Sequence, residues 1–192
     1  MATETKALIA LDFINEIIHP DGKLSGKGYA AFDKAHNTLG NAAAMLAKAR
    51  DRGDAVIHVR VGFLPGYPAH PDKSPLFGAA KEHGVLQLGT WGTEFHDKVK
   101  PVGEEPVVVK NRVSAFHGTQ LEMDLRACGA TTLVLMGVAT DMAVQAAARD
   151  AHDRDYQVEI IADCCAAGSD EDHEQCLRML SKIAKIITMD DF

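Results

Sequence analysis

Three positions in this chain stand where side chains could do chemistry, and only two of them carry a reactive group. Asp12 closes the apolar run KALIALDF (6–13), Lys110 closes PVVVK (106–110), and MGVATDMAV (136–144) runs from an apolar segment into a helical pattern. That third stretch has the form of a turn that presents one side chain at a helix N-terminus, and the residue there is Ala143. A carboxylate and an ammonium brought together at strand ends can act as a general acid–base pair, because each shifts the other's pKa and burial shifts both. Taken singly, Asp12 also reads as a loop cap and Lys110 as a solvated lysine. Their joint placement favours function.

The elements that must position these residues follow from the pattern of apolar runs. Six short runs rich in β-branched residues lie at 6–13, 55–61, 106–110, 131–138, 156–162 and 184–189. Several are apolar on both faces, as strands of a parallel sheet covered on both sides are. Helical patterns separate them at 30–53, 118–129, 140–155 and 169–183, the last with Ser169 as N-cap and acids in its first turn. This alternation predicts a doubly wound α/β domain, in which ligands bind outside the carboxyl ends of the strands. Residues 62–105 break the rhythm, and their first part, GFLPGYPAHPDKSPLFG (62–78), holds four of the seven prolines; they read as an excursion that covers a site, with a short helix near 74–83.

Composition narrows the function classes. The 192 residues suit one domain, residues 1–192, and the 46% hydrophobic and 24% charged fractions suit a globular protein. A net charge of −7 with no basic stripe argues against nucleic-acid or membrane partners. The start lacks a signal-peptide pattern, so a cytoplasmic location is expected. The four cysteines (Cys128, Cys164, Cys165, Cys176) have no zinc-type spacing and read as free, buried thiols. His58 stands alone on its strand and reads as a core residue, so neither a metal nor another cofactor is expected. No glycine fingerprint for a dinucleotide follows the first strand.

The motifs in order resemble the isochorismatase-like hydrolase family. The matching residues are Asp12; Lys110, Ser114, Ala115, Phe116, Thr119 and Leu121; Gly137, Val138, Thr140 and Val144; and Ala148-Arg149-Asp150-Ala151. The resemblance implies a Rossmann-like three-layer sandwich with a six-stranded, mainly parallel sheet. It also implies a cis peptide at Val138–Ala139 and an oxyanion hole built by the turn Val138, Ala139, Thr140, Met142 and Ala143. A homo-oligomer, dimer or higher, is expected from the same source.

Most members of that family carry a nucleophilic cysteine where this chain has Ala143. Three readings follow. The first is hydrolysis of a small molecule by the Asp12–Lys110 pair without a covalent intermediate, as in isochorismate-type vinyl ether hydrolysis. The second is an amidohydrolase of the Asp-Lys-Cys type whose cysteine is replaced by Ala143. The third is a silent relative that binds a small ligand. The family's frequent glutamine two residues after the aspartate is Ile14 here, with Asn15 next. Substrate-binding walls are expected from Phe13, Trp91 and Phe116, with Met142 beside them, and Arg60 is a candidate partner for a substrate carboxylate. His117 is a weaker candidate.

Overall fold

The computed structural model describes residues 4–192. Its centre is one sheet of six strands: β1 (Lys6–Leu11), β2 (Ala55–Val61), β3 (Val107–Lys110), β4 (Thr132–Val138), β5 (Gln157–Ala166) and β6 (Lys185–Ile187). The order is β3-β2-β1-β4-β5-β6 and every pairing is parallel. The "mainly parallel" expectation is therefore met in full. The central strands β1 and β4 are buried along nearly their whole length, because helices cover both faces. The order reverses between β1 and β4, which opens a crevice at their carboxyl ends.

Seven helices connect or flank the strands: α1 (Asn15–Ile18), α2 (Tyr29–His36), α3 (Thr38–Arg52), α4 (Ala80–His83), α5 (Leu121–Ala127), α6 (Gln145–His152) and α7 (Asp170–Leu180). The helical pattern at 30–53 is not one helix. Asn37 adopts a left-handed conformation (φ 55°) and separates α2 from α3. Asparagine tolerates that conformation better than most residues, and Asp33 Oδ1 accepts the Leu39 N–H across the break at 2.7 Å. The 3.6-residue periodicity survives because Leu39, Ala42, Leu46 and Ala49 still face the core.

Two other segments differ in extent. β5 runs on to Ala166, with a register shift against β4 between Leu135 and Gly137. The pattern at 140–155 begins as one π-helical turn, Thr140–Val144, before α6 proper. The Ser169 cap is as read: its side chain accepts the Asp172 N–H at 3.1 Å. The 62–105 excursion holds only the short α4 and a 3-10 turn at Trp91–Thr93, and it packs back by hydrogen bonds between Phe63 and Leu86 and from Tyr67 Oη to the Val85 carbonyl. No helix is long and apolar enough to cross a membrane among the described residues.

Gly137, next to last in β4, pairs with Leu11 of β1. A Cβ there would lie 2.2 Å from the Leu11 carbonyl oxygen, and its φ of 151° disfavours any side chain. Gly137→Ala is expected to lower stability by about 3 kcal/mol, the upper range for overpacking, measured by urea unfolding. Gly103→Ala has open space around its Cβ; its left-handed φ predicts a cost of only about 1 kcal/mol.

Candidate active site

Asp12 is the first residue beyond β1, and Lys110 is the last of β3. These strands are not neighbours, because β2 lies between them. Two strand spacings separate them by roughly 10 Å, and the long lysine side chain reaches across. The pair closes at 2.7 Å between Lys110 Nζ and Asp12 Oδ2, with side chains only 2% and 4% exposed. Lys110 Nζ also donates to the Arg112 carbonyl at 3.2 Å. Asp12 leaves the strand in a left-handed conformation (φ 54°) while its N–H stays bonded to the Val59 carbonyl at 2.8 Å. That turn directs the carboxylate back over the sheet edge.

The two oxygens of Asp12 are not equivalent. Oδ2 takes the lysine, whereas Oδ1 is buried and makes no hydrogen bond among the described residues; the Val61 backbone N–H is near enough to act on the carboxyl. Burial pushes the Asp12 carboxyl above the usual aspartate range, and the Lys110 charge and hydrogen bond oppose that rise without cancelling it.

The matching residues after Lys110 hold the loop rather than reach the substrate. Ser114 Oγ hydrogen-bonds Asp150 of α6 and accepts the Phe116 N–H at 3.1 Å. Thr119 Oγ1 donates to the Ala115 carbonyl at 2.5 Å. Asp150 in turn pairs with Arg154 at 2.9 Å, and that guanidinium lies 4.7 Å from the Phe116 ring centre. The Ser-Ala-Phe segment is thus bracketed between α6 and β3, which fixes the loop that Lys110 opens.

Asp12, Lys110 and Ala143 meet on one cavity of about 320 Å³ at the carboxyl ends of the strands. Val61 of β2 and Val138 and Ala139 of the β4 turn complete its floor. The Val138–Ala139 peptide is cis. Met142 lines the cavity, while Thr140 faces away: its Oγ1 hydrogen-bonds His173 Nδ1 of α7 at 2.9 Å, and its carbonyl accepts Cys176 Sγ at 3.2 Å.

Phe13, Trp91 and Phe116, expected as substrate walls, and Arg60, the expected partner of a substrate carboxylate, lie off this lining. Phe13 is 1% exposed and belongs to the core under β1. Trp91 is on the surface, edge-on to His19 at 5.0 Å. Phe116 packs under Arg154. Arg60 donates to the Thr93 carbonyl at 3.1 Å and lies 5.5 Å from the Phe95 ring, which commits it to the excursion. His117 is exposed, and the Asn15 amide goes to the Trp91 carbonyl at 3.1 Å rather than to Asp12.

The walls come instead from α1 and the turn after it (Ile17, Leu24, Lys27, Tyr29) and from the excursion, including Leu76, Phe77, His83, Val85 and Leu86. The sequence marked the excursion as a cover but held no signal for which of its residues turn inward. None of the four cysteines is on the lining. Burial raises the thiols of Cys164 and Cys165, the latter to about 12. His58 is a core residue whose Nε2 pairs with Glu105 at 2.9 Å.

The description "Isochorismatase domain" fits residues 6–191 of this sequence. The chain belongs to the isochorismatase family. The isochorismatase family protein YwoC of Bacillus subtilis is 30% identical over 86% of this chain and 87% of its own. Maleamate amidohydrolase of Pseudomonas putida is 29% identical over 96% of this chain and 84% of its own. Among solved structures, N-carbamoylsarcosine amidase from Thermoplasma acidophilum superposes with a TM-score of 0.78 at 29% identity, covering 98% of both chains. This protein is accordingly an isochorismatase-family hydrolase.

In this isochorismatase-family site the buried ion pair is a stability constraint as well. Removal of one partner leaves an uncompensated buried charge. Lys110→Met is expected to cost about 3–5 kcal/mol, whereas the double variant Asp12→Leu with Lys110→Met recovers most of that loss. Guanidinium unfolding of the two proteins side by side tests this.

Proposed function

We propose that this hydrolase acts on a small molecule through acid–base chemistry at Asp12 and Lys110, without a covalent enzyme intermediate. The observation that carries the reading is the free, buried Oδ1 of Asp12 on the cavity floor, beside a paired Lys110 and opposite a methyl group at position 143. Burial raises the Asp12 carboxyl above the usual aspartate range, which favours the protonated form that a proton donor needs.

For a vinyl ether of the isochorismate type the steps balance as follows. Asp12 gives its proton to the terminal vinyl carbon, and the π electrons leave an oxocarbenium ion. Water adds to the carbon that bears the ether oxygen, where the positive charge lies, and returns a proton to Asp12. The resulting hemiketal collapses, its C–O bond breaks, and a ketone and an alcohol depart. Lys110 holds the Asp12 carboxylate in place and offsets its charge once the proton is gone.

A second reading draws on the relatives. Maleamate amidohydrolase and N-carbamoylsarcosine amidase are named for amide substrates. On that reading a thiol at position 143 is the missing nucleophile, and Ala143→Cys creates amidase activity on maleamate.

Pyruvate release from isochorismate is the test. Release that falls by about 10²–10⁴-fold in Asp12→Asn, the contribution of one general acid, supports the acid–base reading. Because the acid form is the donor and its pKa is raised, turnover is expected to hold at low pH and to decline as pH rises through the Asp12 pKa, above the ordinary aspartate range. Release unaffected by Asp12→Asn, or amide turnover gained only with Ala143→Cys, overturns it.

A further inference from the structure

The cavity has a second polar region at its mouth, which the chemistry at the floor does not use. Apart from Asp12 and Lys110, the charged or hydrogen-bonding side chains on the lining are Lys27, Tyr29 and His83. An ammonium is a donor only, and a phenol and an imidazole each offer a proton as well. Asp12 is the one acid on the lining, and it is paired with Lys110. Lys27 adds a positive charge to the lining, whereas Asp141 and Asp172, the carboxylates that act on Tyr29, are not on it. Among the described residues no carboxylate forms an ion pair with Lys27.

The position of Lys27 is fixed by its backbone. It ends the 3-10 turn Ser25–Lys27, where Ser25 Oγ donates to the Gly22 carbonyl at 2.6 Å. Gly28 follows with φ 105°, and a Cβ there would lie 2.0 Å from the Gly168 carbonyl oxygen. The turn is thus wedged against the loop after β5, and α2 starts at Tyr29. Burial, Asp141 and Asp172 all raise the Tyr29 pKa, so its phenol keeps its proton and remains a donor at neutral pH. Between mouth and floor the walls are apolar, formed by Ile17, Leu24, Val61, Phe77, Val85 and Leu86.

We infer that Lys27 is a specificity-determining residue, which receives the carboxylate of a small anionic substrate whose apolar body fills the cavity and whose reacting group lies against Asp12 and Lys110. Tyr29 donates to the same carboxylate. A cationic substrate meets repulsion at the mouth, and a neutral one leaves the Lys27 charge unused. The inference rests on the proposed reading of the floor as the reacting end, and it names the substrate class.

The test reads binding, so it does not depend on turnover. Calorimetric titration compares two matched pairs, succinamate against succinamide and 4-carbamoylbenzoate against terephthalamide, with the native protein, Lys27→Gln and Lys27→Arg. The native protein is expected to bind at least one carboxylate about fivefold tighter than its neutral partner, the scale of a partly exposed ion pair. Added salt is expected to shrink that preference. Lys27→Gln is expected to abolish it, and Lys27→Arg to keep it. Equal binding within each pair, a preference that persists in Lys27→Gln, or no binding of either pair at millimolar concentration overturns the inference. Failure of the acid–base reading appears separately, as isochorismate turnover that is absent or indifferent to Asp12→Asn.

Discussion

The ion pair between Asp12 and Lys110 is the constraint around which this structure is organised. Two charges removed from water are costly, and their attraction compensates only where the geometry is good and the remaining hydrogen-bonding capacity is used. Here the lysine makes its pair and one further bond, to the Arg112 carbonyl. The aspartate keeps one oxygen free. That incompleteness costs stability, and it is the feature a catalytic acid needs. Much of the nearby structure holds the pair in register: the left-handed turn at Asp12, the bracket of Ser114 by Asp150, and the tight approach of Gly137 to Leu11.

The turn that follows β4 keeps its form although its side chain is a methyl. Its support comes from behind. His173 and Cys176 of α7 hold Thr140 by its hydroxyl and its carbonyl, and Gln145 Nε2 donates to the Asp141 carbonyl at 3.1 Å. A nucleophile at position 143 is not among these contacts, so its absence leaves the architecture intact. The chain's own thiols offer no substitute, because none lines the cavity and burial disfavours the thiolate forms of Cys164, Cys165 and Cys176.

The excursion at 62–105 converts a strand-edge crevice into a cavity. It is tied down at several points, among them the buried Glu16, whose Oε2 accepts the Leu86 N–H at 3.0 Å. Arg50, Glu105 and His58 form a separate polar cluster where the excursion returns to the sheet. The same segment turns apolar groups toward the cavity and keeps Trp91 and Phe95 for its own surface and packing, where the Thr93 carbonyl and the Phe95 ring meet Arg60 of β2.

The strand order of chemistry was legible in the sequence because periodicity and chain position carry it. Apolar runs with both faces buried mark parallel strands, and residues at their carboxyl ends must gather at one edge. Asp12, Lys110 and Ala143 could be placed together on that ground alone, and the motif around them identified the family. Periodicity also located α3 and α7 closely, but it could not see the break at Asn37, which depends on one residue's left-handed backbone. Whether an aromatic faces the cavity or the core is a matter of side-chain direction within loops, and loops have no period. Phe13, Trp91, Phe116 and Arg60 were therefore assigned by type, and tertiary packing gave them other partners. Tertiary structure also decided that β2 separates the strands that end at Asp12 and Lys110, that one oxygen of Asp12 stays without a hydrogen bond, and that Lys27 lines the cavity. Each of these depends on contacts between segments far apart in the chain, and no local pattern encodes them.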